Sequence, residues 1–534
     1  MKASEQDEIL YTHLLKNKVE TKTVLDHPVG LFVLFFTEMW ERFSYYGMRA
    51  LLVLFLVSEI TKDGWAWTNA EAMSLFGTYT SLVYLTPLLG GLIADKIVGY
   101  RKAVLWGALI MTLGHASMAL EGITSNFFYI GLGLLILGNG LFKPNISSMV
   151  GQLYPDNSDK KDSAFTIFYM GINAGAFLGI MLCGYIGEKI GWHLGFGLAG
   201  IFMFFGMLQF YFGQKIFGQL GESPKEEKNR KALESNTHLA ESELQEEKLP
   251  ANIVRDRLIV ILVLTFFSIF FWLAFEQAGG SMTIFAKDYT QRILVGNSAI
   301  VFKWIDAALT VLPLALVTWV LVMLAKQISK KYPATIFFTA LSFIIIWIIA
   351  IWKVYKEFAA VETEVTASWF QILNSFFIIT FATVFAKIWE TKFNPSGPVK
   401  FALGLGLLGI GFGALAYGSK DIPQGQLTAQ VSMIWLVLAY FFHTMGELCL
   451  SPVGLSYVSK LSPKHLVGLI FGVWFLSSAV ALKLGGVIGG FIDTISQQYS
   501  ISAFFLIFFA TSLIAGLILF LISPWLKKMM HGIH

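Results

Sequence analysis

Long apolar runs separated by short polar segments recur along almost the whole chain. Runs of about 20 residues are long enough to cross a hydrocarbon layer of about 30 Å as helices. Continuous apolar blocks such as 201–208 and 343–351 favour helices, because the strands of a membrane barrel would alternate apolar and polar residues instead. The pattern therefore predicts an all-α integral membrane protein.

We predict fourteen membrane spans, six before a charged segment and eight after it. The first six cover 28–58, 70–95, 102–121, 125–151, 163–188 and 193–216. The other eight cover 257–286, 300–325, 334–353, 367–390, 397–418, 429–459, 465–490 and 501–526.

The charged segment between the two groups of spans divides the chain, because its acidic and basic residues cannot cross a membrane. Eight spans follow the charged segment, which is two more than a second six-helix bundle needs. We assign the two extra spans to the pair at about 300–353. The predicted parts are a segment at 1–27, a six-helix bundle at 28–216, a linker at 217–256, a second six-helix bundle with the inserted pair at 257–526, and a tail at 527–534.

Composition agrees with a lipid environment. Of the 534 residues, 55% are hydrophobic and 14% are charged, which is more apolar side chain than a soluble protein of this size could bury. The net charge of +4 is small and dispersed, so nucleic-acid binding is not expected. Cys183 and Cys449 lie within apolar runs, which predicts reduced thiols, and no spacing of ligand side chains indicates a metal or another cofactor.

Basic residues predict the orientation, because Lys and Arg are concentrated in cytoplasmic loops. The first 27 residues lack the apolar core and cleavage site of a secretory signal peptide, so we expect them to remain in the cytoplasm. The linker and the carboxyl terminus fall in the same basic set, which predicts a multi-pass protein of the cytoplasmic (inner or plasma) membrane with both termini cytoplasmic. The basic loop residues include Lys96, Arg101, Lys102, Lys160, Lys161, Lys326, Lys330, Lys331, Lys387, Lys400 and Lys460.

The first span carries four charged residues. At 100° per residue, Glu38, Glu41, Arg42, Tyr45 and Arg49 fall on one helix face, within ~60° of a common direction. Each ionised side chain at mid-bilayer costs about 2.5–3.5 kcal/mol, so it needs a partner or a watery cavity. The four charges could serve only to hold neighbouring helices together. Two acids beside two bases instead favour a binding site for a ligand that carries both a positive and a negative charge.

Later spans contain further isolated polar residues. Lys143, Glu276 and Glu447 favour a functional role because a charge within a span is costly. Asn173 and Asn374 fit an interhelical hydrogen bond as well as a ligand contact.

The segment between the second and third spans resembles the gating loop of the major facilitator superfamily, in which a glycine-rich contact adjoins a cytoplasmic charge network. Six spans, a charged linker and a second group of spans are also the plan of that fold. We therefore predict a major facilitator fold of two six-helix bundles plus two extra transmembrane helices. The residues that carry the loop resemblance are Gly91, Asp95, Lys96, Gly99, Arg101 and Lys102.

The first span also resembles the proton-dependent oligopeptide transporter family. Residues 38–47 contain the family's complete first-helix motif, Glu-x-x-Glu-Arg-Phe-x-Tyr-Tyr-Gly. Similar family motifs recur at 140–145, 168–173, 271–277, 369–374 and 446–452, so the resemblance covers nearly all spans of both halves. One feature departs from the family. Many bacterial members insert their extra helix pair between the sixth and seventh family helices, whereas here the apolar pair follows the Glu276 span.

The resemblance implies a binding site for short peptides. Arg49 and Lys143 would bind the peptide carboxylate, and Glu447 with Asn173 and Asn374 would hold the amino terminus. Recognition of the two ends would let one site accept many sequences. The residues implied to line side-chain pockets are Tyr45, Tyr46, Tyr84, Trp272, Trp474 and Ser478.

The resemblance further implies proton coupling through Glu38, Glu41, Arg42 and Glu276, with Glu276 pairing with Arg49. We therefore expect a monomeric, proton-coupled symporter that imports di- and tripeptides by alternating access, with protons and membrane lipid as its other partners. The alternatives are a major facilitator exporter of drugs or metabolites, an anion carrier, a membrane enzyme and a non-transporting peptide sensor. No nucleophile–base pair supports an enzyme. Lys303, Asp306 and Lys483 receive no role from the sequence.

Overall fold

Helix makes up nearly all of the secondary structure in the computed structural model, which describes residues 3–155, 158–234, 250–391, 393–463 and 466–533. The predicted linker and carboxyl-terminal tail therefore lie partly outside the described residues. The first nine helices are α1 (Ala3–Lys16), α2 (Val29–Val57), α3 (Asn69–Ile93), α4 (Tyr100–Ala119), α5 (Ser125–Gln152), α6 (Lys160–Lys189), α7 (Trp192–Gly213), α8 (Pro224–Glu234) and α9 (Ala251–Phe275).

The remaining helices follow the linker. They are α10 (Ser281–Asp288), α11 (Asn297–Ile328), α12 (Pro333–Ala359), α13 (Ile372–Glu390), α14 (Gly397–Gly418), α15 (Ile434–Leu461), α16 (Val467–Gly489), α17 (Ile492–Gln498) and α18 (Ile501–Met529). Two short antiparallel hairpins complete the described secondary structure. Strand β1 (Thr23–Val24) pairs with β2 (His27–Pro28), and β3 (Ile293–Leu294) pairs with β4 (Thr363–Glu364).

Twelve helical segments of the described chain are long and apolar enough to cross a membrane. Helices α2 and α4 are not among these twelve, although they contain 29 and 20 residues. Helix α2 carries the four charges noted above, and α4 begins beside Arg101 and Lys102. The predicted count of fourteen spans includes both helices and stays a prediction.

The predicted span at 257–286 is interrupted in the structure. Helix α9 ends at Phe275, a 3₁₀ turn covers Glu276–Gly279, and α10 starts at Ser281. The backbone turns at Gly280, where an added Cβ atom would lie 2.5 Å from Met73 Cε on α3. The break places Glu276 at the end of a helix.

Unit 1 groups Met1–Leu51, Thr86–Thr237 and Ile293–Trp369. Helices α11 and α12 form the predicted inserted pair, and they pack against α6 and α7 within this unit. On α2, the indole of Trp40 lies 4.8 Å from the ring of Phe202 on α7 and 5.4 Å from the ring of Phe343 on α12. The predicted domain boundaries follow chain order, whereas side-chain packing joins the inserted pair to the amino-terminal helices.

Unit 2 groups Leu52–Leu85, His238–Arg292 and Phe370–His534. Helix α14 packs against α15 and α18, and α9 packs against α16. Helix α3 approaches α16 closely at Gly77, where an added Cβ would lie 2.7 Å from the Cα of Gly486.

The three charged residues that the sequence left without a role all have structural partners. Asp306 on α11 forms a buried ion pair with Lys353 on α12 and accepts a hydrogen bond from Trp369 Nε1 at 3.1 Å. Lys303 donates to the backbone oxygen of Ala360 at 2.8 Å. In unit 2, Lys483 donates to Thr78 Oγ1 at 2.7 Å.

Candidate functional site

The charged face of α2 forms a buried ion cluster in unit 1. Arg42 Nε lies 2.8 Å from Glu38 Oε1 and 2.5 Å from Glu41 Oε2. All three side chains are at most 3% exposed. An unpaired charge at this depth would be costly. The cluster is therefore stabilised by the pairing of one guanidinium group with two carboxylates.

Helix α5 supplies the other side of this cluster. Asn139 Nδ2 donates a hydrogen bond to Glu41 Oε1 at 2.9 Å. Lys143 lies one turn further along α5, and its positive charge acts on both Glu38 and Glu41. The cluster therefore contains two carboxylates and two cations. A ligand carboxylate that binds Lys143 would compete with Glu38 and Glu41 for its positive charge.

Close helix packing positions the charged face. Helix α2 lies so near α6 that a Cβ added at Gly175 would be 2.1 Å from the backbone oxygen of Met39, and one added at Gly179 would be 2.2 Å from that of Phe43. Glycine at these positions lets the two backbones meet. Asn173, two residues before Gly175, is buried and donates to the backbone oxygen of Tyr169 at 3.0 Å.

The aromatic residues that follow the acids on α2 contact its cations. The guanidinium carbon of Arg42 lies 5.7 Å from the centre of the Tyr45 ring, and that of Arg49 lies 5.7 Å from the centre of the Tyr46 ring. The two tyrosine rings are edge to face, with centres 5.1 Å apart. These contacts orient both guanidinium groups by cation–π attraction.

A second polar cluster lies in unit 2, where α13 meets α15. Asn374 Nδ2 donates to Glu447 Oε2 at 2.9 Å and lies 3.2 Å from Thr444 Oγ1. Glu276, in the 3₁₀ turn after α9, is also buried and is close enough for its charge to act on Glu447. Two neighbouring carboxylates repel each other, which suits a site that takes up a cation.

The remaining pocket residues of unit 2 occupy different places. Trp272 packs between Phe271 and Phe275, with ring centres 5.3 and 5.5 Å away. Trp474 is 5% exposed and its ring centre lies 6.3 Å from that of Phe401. Ser478 donates to the backbone oxygen of Trp474 at 3.3 Å. Tyr84, near the middle of α3, is half-buried.

The predicted gating loop forms a π turn at Ala94–Val98, followed by Gly99 with φ of +79°. Asp95 and Lys96 are exposed, and neither forms an ion pair within the described ranges. The backbone N–H of Arg101 donates a hydrogen bond to the Gly221 oxygen at 3.1 Å. The roles of Asp95, Lys96 and Arg101 in gating stay predictions.

The charge network beside this loop is formed by residues at the start of the linker, and it was not predicted from the sequence. Arg101 Nη2 lies 3.9 Å from Glu222 Oε1, and Lys102 Nζ lies 2.7 Å from Glu226 Oε1. The hydrogen bond from Lys102, with bonds from Ser223, lowers the pKa of Glu226 to about 2. Helix α8 is thus attached to the gating loop within unit 1.

The predicted residues divide between the two units of the structure. Asn139 and Thr444 are functional-site residues that were not predicted from the sequence. Their spacing was an available signal, since Asn139 lies four residues before Lys143 and Thr444 lies three before Glu447. Unit 1 contains Glu38, Glu41, Arg42, Tyr45, Tyr46, Arg49, Lys143 and Asn173, and unit 2 contains Tyr84, Trp272, Glu276, Asn374, Glu447, Trp474 and Ser478. Within the described residues, no group of three or more His, Cys, Asp or Glu side chains could hold a metal ion.

Comparison with known proteins identifies the family. The model of the POT family matches residues 101–241 and 336–507, together more than half of the chain. This chain belongs to the POT family. The predicted resemblance to proton-dependent oligopeptide transporters is thereby confirmed, as is the all-α membrane fold of the major facilitator type.

Individual POT relatives match over almost their whole length. An uncharacterized transporter, YclF, of Bacillus subtilis is 33% identical, with 96% of this chain and 97% of the relative covered. A di-/tripeptide transporter of Lactococcus lactis subsp. cremoris is 31% identical, with 96% and 98% covered. A crystal structure of a POT family transporter in complex with a thioalcohol-conjugated peptide is 27% identical, with a TM-score of 0.73 and coverage of 94% and 98%. The chain is thus a multi-pass membrane protein of a transporter family.

Proposed function

We propose that this protein is a proton-coupled symporter that imports di- and tripeptides across the cytoplasmic membrane by alternating access. Two relatives support the substrate class, since one is named a di-/tripeptide transporter and another was solved with a peptide conjugate. We further propose that it acts as a monomer. We also propose that both termini lie in the cytoplasm, because the basic residues of the loops predict this orientation.

The observation that carries the proposal is the set of two acids and two cations in unit 1, of which Lys143 is half-buried and the other three are buried. Glu38 and Glu41 share Arg42, and Lys143 adds a second positive charge to the same acids. A peptide carboxylate that binds Lys143 withdraws this charge from the acids. The acid that loses its counter-charge then takes up a proton, because an unpaired buried carboxylate is costly. Substrate binding and proton binding are thereby linked.

Arg49 serves as the second cation for the peptide carboxylate in this proposal. Its guanidinium is held over the Tyr46 ring, which fixes its direction while leaving its planar N–H groups suited to carboxylate binding. Two cations from different helices, Arg49 and Lys143, would favour a carboxylate over a neutral ligand. This preference distinguishes peptides from most apolar substrates of exporters.

The amino end of the peptide requires an acid, which Glu447 supplies. Asn374 holds one carboxylate oxygen of Glu447 at 2.9 Å and leaves capacity on the group for an ammonium ligand. Asn173 is a further amide that we assign to the amino terminus, and it lies in unit 1. Longer peptides would carry their second charge out of reach, so the proposal restricts the substrate to two or three residues.

Transport by reconstituted protein tests this function. Liposomes with an alkaline interior would be given labelled dialanine, with unlabelled tri- and tetrapeptides as competitors. We expect accumulation above the external concentration, competition by trialanine and little competition by tetraalanine. Accumulation that is unchanged when the pH step is abolished would contradict proton coupling, and binding without accumulation would support a sensor instead.

A variant separates coupling from binding. Glu41→Gln removes the charge that Arg42 and Asn139 hold, so we expect downhill peptide exchange to continue while gradient-driven accumulation is lost. Glu362→Gln is the matched control because this glutamate is exposed in the segment after α12. Export of a drug-like cation in place of peptide uptake would favour the exporter.

A further inference from the structure

A basic cavity lies in unit 2, apart from the acid cluster around Glu447. Its volume is about 580 Å³, and it opens where α13 ends, α14 begins and the last turns of α15 and α18 lie. This is the end of the helices that the basic loops predict to face the cytoplasm. The lining residues include Trp389, Asn394, Ser396, Lys400, Tyr457, Lys460 and Lys527.

Three lysines come to this cavity from three different helices, and no acid lines it. Lys400 lies in the first turn of α14, and Lys460 and Lys527 lie in the last turns of α15 and α18. None of the three forms an ion pair with a carboxylate in the part of the chain that the structure describes. Three like charges around one cavity repel one another, so an anion in the cavity would relieve this cost.

The cavity also offers fixed hydrogen-bonding groups. The Lys400 ammonium lies 4.6 Å from the centre of the Trp389 ring, which holds it by a cation–π contact. Tyr457 is buried and accepts a hydrogen bond from the Gly397 N–H at 3.2 Å, so its own hydroxyl proton remains available as a donor. Ser396 precedes α14 and places the amino-terminal end of that helix at the cavity. The combination suits phosphate oxygens.

Exposed apolar side chains close in sequence to the lining residues favour a lipid as the source of the phosphate. Phe393 is 67% exposed next to Asn394, and Trp525 is 52% exposed two residues before Lys527. Leu521, one turn earlier on α18, is 67% exposed. These three residues do not line the cavity, but exposed apolar side chains close in sequence to basic residues at helix ends match the boundary between acyl chains and headgroups.

We propose that this cavity binds the headgroup of an anionic phospholipid from the cytoplasmic leaflet. The phosphate would contact Lys400, Lys460 and Lys527, while the acyl chains would lie along the apolar surface beside Phe393 and Trp525. The bound lipid would fasten the segment between α13 and α14 to the leaflet.

Native mass spectrometry with added phosphatidylglycerol or phosphatidylcholine tests the proposal. We expect wild-type protein to retain phosphatidylglycerol in preference to phosphatidylcholine. Replacing the three lysines by glutamine should reduce this retention about tenfold or more, because each basic residue contributes to anionic-lipid attraction. The charge-preserving arginine triple variant should bind as the wild type does, which also shows that the site tolerates substitution.

The matched control removes three exposed lysines that do not line the cavity. Lys326→Gln, Lys330→Gln and Lys528→Gln lower the net charge equally, and Lys528 follows Lys527 directly on α18. This control should retain phosphatidylglycerol. Equal loss in the control would overturn the site, as would full retention by the glutamine triple variant. Displacement of the lipid by millimolar inorganic phosphate would show a soluble-phosphate site and would also overturn the lipid assignment.

Discussion

Asn374 donates a hydrogen bond of 2.9 Å to the carboxylate of Glu447, and the two residues come from different helices, α13 and α15. Both were predicted from the sequence to serve the peptide amino terminus. The contact fixes one carboxylate oxygen and leaves the acid's charge for a ligand. Their shared role in peptide binding remains a proposal that substitutions can test.

Asn374→Ala should weaken peptide binding. A hydrogen bond to a charged group contributes about 1.5–3 kcal/mol, so we expect the KM for dialanine uptake to rise about tenfold or more. Counterflow at several peptide concentrations measures this change without a pH gradient. Thr380→Ala, at an exposed position of α13, is the control and should leave KM unchanged. An unchanged KM in Asn374→Ala would remove this residue from the site.

Glu276→Gln should separate exchange from proton-driven uptake. Glu276 is buried and its charge acts on Glu447, so removing its titratable proton alters coupling while leaving an uncharged side chain of similar shape. We expect peptide binding and counterflow to persist and accumulation driven by a pH step to be lost. Unimpaired accumulation by this variant would show that Glu276 does not couple transport to protons.

Lys143→Ala should abolish concentrative transport. The substitution removes both the proposed ligand of the peptide carboxylate and a positive charge that acts on Glu38 and Glu41. Uptake of labelled dialanine into liposomes measures the loss, and Lys189→Ala provides a control at a partly exposed lysine on α6. Accumulation at the wild-type level would count against the assignment.

The Asp306–Lys353 ion pair should stabilise the inserted helix pair. Both side chains are at most 4% exposed, so Asp306→Asn leaves an unpaired buried ammonium and should lower the free energy of unfolding by about 3 kcal/mol. Chemical unfolding in detergent measures this change. The double variant Asp306→Asn with Lys353→Met should recover most of the loss. Lys189→Gln breaks a partly exposed pair with Glu364 and should cost less than about 1 kcal/mol.

His27 should make stability depend on pH. Burial, with the nearby charge of Lys160, lowers the pKa of His27, whose Nδ1 lies 2.8 Å from the Tyr154 hydroxyl. The folded protein therefore binds a proton less readily than the unfolded chain. The stabilisation is complete above the unfolded pKa of about 6.5 and decreases as the pH falls below it.

Thermal unfolding between about pH 5 and pH 7.5 measures this effect. Tm should fall on acidification in the wild type, and it should fall less in His27→Gln. His193→Gln alters an exposed histidine and should retain the wild-type slope. Identical slopes in wild type and His27→Gln would refute the contribution of His27.

Much of the fold could be predicted because apolar runs and charges are local properties of the sequence. Of the predicted spans, 397–418 coincides with helix α14 and 125–151 differs from α5 by one residue. The interruption at Glu276 was not predicted, because the apolar run continues through it, and the nearby approach of Gly280 to Met73 joins positions remote in sequence. The periodicity of apolar residues along one helix contains no information about such a contact.

In the candidate site, too, contacts within one helix could be predicted from the sequence and contacts between helices could not. The clustering of Glu38, Glu41 and Arg42 follows from their spacing on one helix, which alone predicts that they share a face. The bond from Asn139 joins α5 to this cluster over 98 positions of sequence, and no local pattern specifies it. The roles of these residues in coupling stay predictions.

The sequence by itself determined that the chain spans a membrane, because its long apolar runs can be accommodated in lipid only as helices with satisfied backbones. Its motifs, above all the one at 38–47, carried the resemblance to the transporter family. Only the tertiary structure decided that the inserted helices join unit 1, that Asp306 and Lys353 neutralise each other, and that three lysines surround one cavity in unit 2. Spacing within one helix follows from helical geometry, whereas contact between helices depends on side-chain shape along both surfaces.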